Sequence, residues 1–366
     1  IIAAMHICFF SGDITRSGGT ERVSAMIANM LAKSTDYKIS FVSLFEEADK
    51  PFFAIDDAID RHVIYLVPTH GIQHYFTTVK RLKTLVRQLR IDVLVDIDGI
   101  LDMYALPVKR STGVKVISWE HFNYHQNPGV PHRKLTRRWA VRRADAIVTL
   151  TQADKVLYES NLKLRCPVVA IPNPIEPLAG ENRPYSADSR TILSCGRLTY
   201  QKGFDYLIQV AAKVLPEHPG WTWLVLGEGE DREQLEQGIR EHHLEGRVVL
   251  EGRVDNVEDY YRKSAFYVMT SRFEGLPMVL LEAKSAHLPI VSFDCETGPA
   301  EIVKDGVNGY LVPCFDTDGM TKRIGELIDD AELRERFSAH AMDNTERYAM
   351  RTVVIKWINL FKVSLK

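Results

Sequence analysis

Cysteine is sparse in this chain. The five residues (Cys8, Cys166, Cys195, Cys295 and Cys314) are odd in number and never in CxxC spacing, which argues against a disulfide framework and against a cysteine-based zinc cluster. No apolar run approaches the roughly 18 residues that a membrane-spanning helix needs. Low-complexity tracts and repeats of solenoid period are also missing. The opening IIAAMHICFF lacks the charged flank and cleavage site of a secretory signal, so a reducing, cytoplasmic setting is expected. Finally, MHICFFSGDITRSGGTER contains no GxGxxG after its β-rich run, which disfavours a dinucleotide-dependent dehydrogenase.

What is present is a chain of 366 residues, 45% hydrophobic and 26% charged, the profile of a globular protein with two domain-sized cores. The net charge of −2 hides an asymmetry: residues 1–172 carry 23 Lys/Arg against 17 Asp/Glu, and the remainder 23 against 31. A basic half suits an anionic partner or surface, although an ordinary solvated surface has the same charge. No nucleic-acid partner is expected.

Short β-rich runs alternate with helical patterns in the first half: MHICFF, KISFVSLF, HVIYLVP, DVLVDID, KVISWEHF, DAIVTLT and PVVAIP, with ERVSAMIANMLAK and FTTVKRLKTLVRQLR among the intervening segments. This alternation predicts a parallel sheet covered by helices. Regularity lapses over 176–189, and the same grammar restarts with RTILSCGRL, WTWLVLGEG, RVVLEG, AFYVMTS, LPIVSFD and GYLVP. Two doubly wound domains are expected, at 1–175 and 176–345, with a helix over 346–366 that either crosses back to the first domain or caps its own. Ligands of such sheets bind beyond the carboxyl ends of the strands, so a site is expected in a cleft between the two.

The stretch SRFEGLPMVLLEAKS (271–285) follows a predicted strand and opens a helix with Pro277 in its first turn. The amides of Gly275, Leu276 and Met278 would then form an anion site, with Glu274 in the loop and Glu282 one turn beyond Met278 on the same face. Carboxylates beside an anion site suit a ligand with both phosphates and hydroxyls, such as a nucleotide-sugar. Glu282 would accept from ribose hydroxyls and Glu274 from the sugar. In SCGRLTYQKGFD (194–205), Arg197 and Lys202 supply matching positive charge for a diphosphate leaving group. SGDITRSGGTERVS (11–24) is a second loop opening a helix, where Gly18, Gly19 and Thr20 offer amides to a phosphate.

Together these motifs resemble the retaining GT-B glycosyltransferases of family four, over nearly the whole chain. The family's pattern of two glutamates appears as Glu274 and Glu282 in EGLPMVLLE, its basic motif as Gly196, Arg197, Leu198, Lys202 and Gly203, and its SGG-x-ER loop as residues 17–22. The resemblance implies an α/β GT-B fold, two Rossmann-like doubly wound domains facing a central cleft, and transfer of a hexose or N-acetylhexosamine from a UDP-sugar. It implies that Gly227 and the Arg253-Val254 stretch present backbone to the nucleotide, that Glu301 lies near the cleft, and that His121 in SWEHFNYH lies near the reacting sugar. It also implies reaction on one sugar face, the departing diphosphate helping to deprotonate the acceptor, rather than through a glycosidase-type carboxylate nucleophile.

Asp96-Ile97-Asp98 is a literal DxD, the metal signature of the other major glycosyltransferase fold. It is read as strand-end polar residues, and no metal or other cofactor is expected, since Arg197 and Lys202 supply the charge. The basic stretches KRLKTLVRQLR (80–90) and PHRKLTRRWAVRR (131–143) and the aromatic-basic TVVIKWINLFK either seat the first domain on an anionic leaflet or pack their apolar sides on the sheet. A peripheral enzyme extending a lipid-linked glycan, in O-antigen, lipopolysaccharide or capsule assembly, is the expectation. Alternatives are a nucleotide-sugar epimerase of the same fold, which would need no acceptor, and a non-catalytic nucleotide-sugar-binding protein, which would leave the donor intact.

Overall fold

The computed structural model describes residues 4–69, 71–126, 130, 132–175 and 185–364; most of the expected linker, 176–184, lies outside the described residues. The chain forms two compact units, residues 1–174 with 347–366, and residues 175–346.

In the first unit, strands β1 (His6–Ser11), β2 (Lys38–Ser43), β3 (Asp60–Val63), β4 (Val93–Asp96), β5 (Lys115–Trp119), β6 (Ala146–Thr149) and β7 (Val168–Ala170) form one sheet in the order β3-β2-β1-β4-β5-β6-β7, every pair parallel. The central strands read as unbroken apolar runs because both faces are covered: β1, β4 and β6 are buried at every position. The cover includes helices α1 (Gly19–Ser34), α2 (Tyr75–Leu89), α3 (Asp102–Thr112), α4 (Arg133–Arg143) and α5 (Gln152–Asn161). β3 lies slightly upstream of the run HVIYLVP that predicted it. The amides of Ile64 and Tyr65 still donate to Ser43 O and Leu44 O, at 2.9 and 2.8 Å, and past Tyr65 the run turns outward, with Leu66 90% exposed.

In the second unit, β8 (Thr191–Cys195), β9 (Thr222–Leu226), β10 (Val248–Gly252), β11 (Phe266–Met269), β12 (Ile290–Phe293) and β13 (Gly309–Val312) form a parallel sheet in the order β10-β9-β8-β11-β12-β13. Its helices are α6 (Phe204–Val214), α7 (Arg232–Glu241), α8 (Val257–Lys263), α9 (Met278–Ser285), α10 (Pro299–Ile302), α11 (Thr317–Asp329) and α12 (Ala331–Ala339). Asp316 and Asp330 accept from the amides of Gly319 and Leu333 and cap α11 and α12. In both sheets the order reverses beside the first strand, between β1 and β4 and between β8 and β11. Connections there leave in opposite directions and open a crevice at the strand ends.

The last helix, α13 (Met350–Ser364), belongs to the first unit. Val353, Val354, Trp357, Leu360 and Phe361 recur at helical spacing and are all buried. The Trp357 ring meets Trp119 edge-on at 4.8 Å. The aromatics of TVVIKWINLFK are therefore core residues, which removes them from any surface role.

Candidate functional site

The loop after β8 is shaped by glycine. Gly203 closes it with φ 63° and starts α6; a β-carbon there would strike the Thr270 carbonyl oxygen at the end of β11, so only glycine lets the two loops approach so closely. The β9 exit stacks on the same loop through its backbone: Leu198 N donates to Glu228 O at 3.0 Å and Asp231 N to Leu198 O at 3.1 Å. Side chains at Gly227 or Gly229 would collide with the carbonyls of Gly196 and Leu198. Gly227 N in turn donates to Gly252 O at 2.8 Å, which links the β10 exit, with exposed Arg253 and half-buried Val254, to the same edge.

At the β8/β11 divergence, Lys202 Nζ donates to Glu274 Oε1 at 2.7 Å. Glu274 is only 6% exposed, and its loop is held from behind by Thr297 Oγ1, which donates to the Glu274 carbonyl at 2.6 Å. Arg197, on the β8 loop, is exposed; no hydrogen bond or ion pair engages it among the described residues. Removing either partner of a nearly buried ion pair is costly, so the Lys202 ammonium and Glu274 carboxylate hold each other in place.

α9 begins at Met278, and Pro277 is its cap with φ −72° and ψ 107° rather than a first-turn residue. The extended ψ turns the chain one residue later than expected and leaves Gly275, Leu276 and Met278 at the helix entrance. Leu276 is buried, Gly275 and Met278 half-buried. Glu282, one turn on, accepts from the buried Tyr261 hydroxyl at 2.9 Å, and Tyr261 stacks on Tyr267 at 5.7 Å. The structure thus gathers Arg197, Lys202, Glu274 to Met278, Glu282 and Gly227 along one edge of one sheet. Glu301 lies in α10, after β12 on that edge.

Sequence reading overlooked a clamp between these loops. Arg272 donates from both terminal guanidinium nitrogens to both oxygens of Asp205, at 2.8 and 2.6 Å, and to Tyr200 O at 2.8 Å. The backbone adds Arg272 N to Gln201 O at 2.8 Å. The residues stand in the quoted motifs as SRFEG and KGFD, but nothing in either segment announces the other as partner.

The remaining candidates belong to the first unit. Gly18 caps α1 without a side-chain bond, and Gly19 and Thr20 follow at the helix start. The Glu21 carboxylate folds back over Gly18, and burial raises its pKa. His121 follows β5, its ring 4.5 Å from that of Trp119. Its Nε2 is buried with no hydrogen-bond partner among the described residues, and burial pulls its pKa down to about 4, so the imidazole is neutral near pH 7 with a polar atom available.

Asp96 of the DxD ends β4 and is fully buried. Asp98 instead takes both terminal nitrogens of Arg133. No cluster of three His, Cys, Asp or Glu residues suited to a metal occurs among the described residues. Arg133 and Arg137 are 2% exposed and lie 3.6 and 3.7 Å from Glu120 Oε2. Two charges of the basic stretch 131–143 are therefore structural, a split invisible in the sequence because inward and outward arginines read alike. Lys134, Leu135, Arg138, Trp139, Arg142 and Arg143 face outward. No described helix is long and apolar enough to cross a membrane.

Comparison with known proteins agrees with this architecture. The family model described as Glycosyl transferases group 1 matches residues 181–343, and Glycosyltransferase Family 4 matches residues 17–177. An uncharacterized glycosyltransferase of Haemophilus influenzae is 34% identical over 96% of this chain and 98% of its own length. The amylovoran biosynthesis glycosyltransferase AmsD of Erwinia amylovora is 30% identical over 94% of this chain and 96% of its own. A Campylobacter jejuni α-1,4-N-acetyl-D-galactosaminyltransferase, named for an undecaprenol-diphosphate-linked glycan, is 24% identical over 97% and 98%. Among solved structures, the lipopolysaccharide outer core galactosyltransferase WaaB superposes with a TM-score of 0.79 at 21% identity, covering 98% of this chain and 99% of WaaB. Anabaena HepE in complex with UDP-glucose superposes with a TM-score of 0.79 at 16% identity, over 98% and 99%.

Proposed function

The chain belongs to the family-four glycosyltransferases of GT-B fold, and from that premise we propose that it moves a hexose or N-acetylhexosamine from a UDP-sugar to a lipid-linked glycan. Transfer retains the anomeric configuration and needs no metal ion, and it serves O-antigen, lipopolysaccharide or capsule assembly on the cytoplasmic face of the inner membrane. Relatives named for amylovoran synthesis and for an undecaprenol-diphosphate-linked glycan support the pathway class, and HepE's complex with UDP-glucose supports the donor class.

The observation that carries this reading is the Lys202–Glu274 pair at the β8/β11 divergence, on an edge that also bears exposed Arg197. A diphosphate entering there takes Arg197, Lys202 and the amides of Gly275, Leu276 and Met278. Glu274, relieved of part of its bond to Lys202, accepts from hydroxyls of the sugar, and Glu282, oriented by Tyr261, accepts from the ribose. As the glycosidic bond breaks, negative charge grows on the diphosphate oxygens between the two cations. Each preorganised contact of this kind is worth about 3–4 kcal/mol in the transition state. The departing diphosphate takes the acceptor proton, so no carboxylate nucleophile is required. In the first unit, uncharged His121 offers Nε2 to a sugar hydroxyl, and the amides of Gly18, Gly19 and Thr20 suit a phosphate.

The outward face of α4 supports a peripheral membrane position. Lys134, Arg138, Arg142 and Arg143 surround Leu135, 66% exposed, and Trp139, 37% exposed, which is the mixture that settles at an anionic lipid interface. A cavity of about 610 Å³ lined by Tyr75, Met103, His132, Leu135, Thr136 and Trp139 adjoins it.

The test is a screen of UDP- and other nucleotide-sugars with cell-extracted lipid acceptors, NMR reporting the anomeric configuration of the product and chelator added in parallel. An acceptor-dependent product with the donor's configuration, formed in chelator, is expected. An inverted product overturns the mechanism. Turnover of the donor without acceptor, to an epimeric nucleotide-sugar, overturns the transferase reading.

A further inference from the structure

Five scattered cysteines predict no disulfide, and all five are free thiols. The fold nevertheless brings two of them together. β12 and β13 pair in parallel register with Phe293 opposite Val312, and the ladder continues past the strand ends, since Asp294 N donates to Val312 O at 2.8 Å. Two residues beyond that register lie Cys295 and Cys314, 19 positions apart in sequence, with thiols near enough to shift each other's titration. Neighbouring parallel strands set paired α-carbons within the span of about 4.4–6.8 Å that a disulfide bridges.

The two thiols are not equivalent. Cys295 is 3% exposed, and its S–H also has the Ser271 carbonyl within reach, at 3.0 Å. Cys314 is half-buried. The neighbouring Cys295 thiol holds the Cys314 thiol below its ordinary pKa, while Cys314, with burial, pushes Cys295 upward. Cys314 is thus the accessible, thiolate-prone member and Cys295 the shielded one, the division of labour of an attacking and a resolving thiol.

This pair is wired to the candidate site. Ser271 opens the SRFEG loop that carries Glu274, and Thr297, two residues after Cys295, donates to the Glu274 carbonyl at 2.6 Å. Gly298 follows, packed so closely on Gly275 and Pro277 that a β-carbon would not fit. A new covalent bond at Cys295 withdraws its S–H from Ser271 and fixes the segment that supports Glu274 from behind.

We propose that Cys295 and Cys314 are an oxidisable dithiol, closed to an intramolecular disulfide by a low-molecular-weight disulfide such as glutathione disulfide, and that closure displaces the Glu274 loop. The Cys314 thiolate attacks one sulfur of the oxidant and expels one thiolate, which takes up a proton. Cys295 then attacks Cys314 Sγ in the mixed disulfide, expels the second thiol and gives up its proton. The protein loses two electrons and two protons, and the oxidant is reduced to two thiols. The effect on turnover rests on the transferase reading above; the disulfide itself does not.

The test exposes the full chain to glutathione/glutathione disulfide mixtures, alkylates it and maps peptides without reduction. One linked pair joining Cys295 to Cys314 is expected, with Cys8 and Cys166 still alkylated. Donor turnover should fall roughly tenfold or more, as small displacements of positioned groups do, and should return with dithiothreitol. Cys314→Ser should keep its turnover in the oxidising mixture. A stable mixed disulfide on Cys314, or both thiols left alkylatable, overturns the dithiol. A linked pair with unchanged turnover overturns its coupling to Glu274. A reduced enzyme with no transfer activity counts against the transferase reading alone, because peptide mapping needs no donor.

Discussion

Arg272 and Asp205 meet fork to fork, guanidinium against carboxylate at 2.8 and 2.6 Å, with the same guanidinium 4.1 and 4.6 Å from the ring centroids of Tyr200 and Tyr206. One side chain therefore fastens the loop bearing Glu274 to the loop bearing Lys202. Arginine is suited to this because its planar fork binds bidentately and stacks, and lysine does neither. Arg272→Lys keeps the charge and loses the geometry. It is expected to lower kcat about tenfold or more with a much smaller change in thermal midpoint, since Asp205 is partly exposed. Steady-state kinetics beside thermal melts decide it; kinetics equal to wild type would show that the clamp positions nothing.

Arg197 and Lys202 are expected to separate in stability while agreeing in catalysis. Arg197→Ala and Lys202→Ala should each cut kcat about 10²–10³-fold if both cations stabilise the departing diphosphate. Arg197 has no polar partner among the described residues, so its loss should leave the melting temperature unchanged. Loss of Lys202 strips the cation from a carboxylate that is 6% exposed and should lower it. Glu274→Ala should also abolish most turnover. Full activity in all three variants would dismiss the assignment.

The strands and both doubly wound sheets were legible in the sequence because parallel strands buried on two faces read as unbroken β-branched and aromatic runs between amphipathic helices, as in DVLVDID and AFYVMTS. The candidate residues after β8 and β11 were legible as local motifs. What escaped was pairing across sequence distance: Arg272 with Asp205, and Cys295 with Cys314. Such pairings depend on strand register and loop length, which no single segment encodes. In the basic stretch 131–143 the apolar side was expected to pack on the sheet, but that two of its arginines, Arg133 and Arg137, turn inward was not legible, because helix phase, set by packing on the sheet, decides it.

Asp96 and Asp102 make folding stability depend on pH. Asp96 is fully buried and faces Asp102, whose Oδ2 accepts from Ser118 Oγ at 2.7 Å. Burial first, then the neighbouring carboxyl, raises Asp96 well above its ordinary pKa, and burial raises Asp102 from 3.8 to about 7. Groups that hold protons more tightly when folded stabilise the native state fully below their unfolded pKa, and this contribution is lost as pH rises through the folded value. The Asp102 contribution should therefore fall between about pH 4 and pH 7, and that of Asp96 is likewise lost as pH rises above its unfolded value. Asp96→Asn, which cannot ionise, is expected to gain roughly 1 kcal/mol or more relative to wild type at pH 8 compared with pH 4. Denaturant melts at the two pH values measure it, and an equal difference at both would mean that the carboxyl pair holds no extra proton.

The outward face of α4 allows a prediction that separates lipid docking from ordinary solvation. Arg138 and Arg142 point to solvent one turn apart, on either side of Trp139, while Arg133 and Arg137 are internal. Charge reversal at the outer pair should therefore spare the fold. Each basic residue near an anionic surface contributes about 1 kcal/mol, so removing two costs about 2 kcal/mol and reversal costs more. Co-sedimentation of the Arg138→Glu, Arg142→Glu double variant with phosphatidylcholine vesicles containing phosphatidylglycerol should fall at least roughly 30-fold in partitioning. Wild-type binding should weaken with salt and vanish on pure phosphatidylcholine. Replacing Trp139 with alanine should weaken binding without changing its salt dependence, because it removes apolar insertion and leaves the charges. If wild type ignores anionic lipid, or the double variant binds as well as wild type, the helix face is solvated surface and its arginines serve solubility alone.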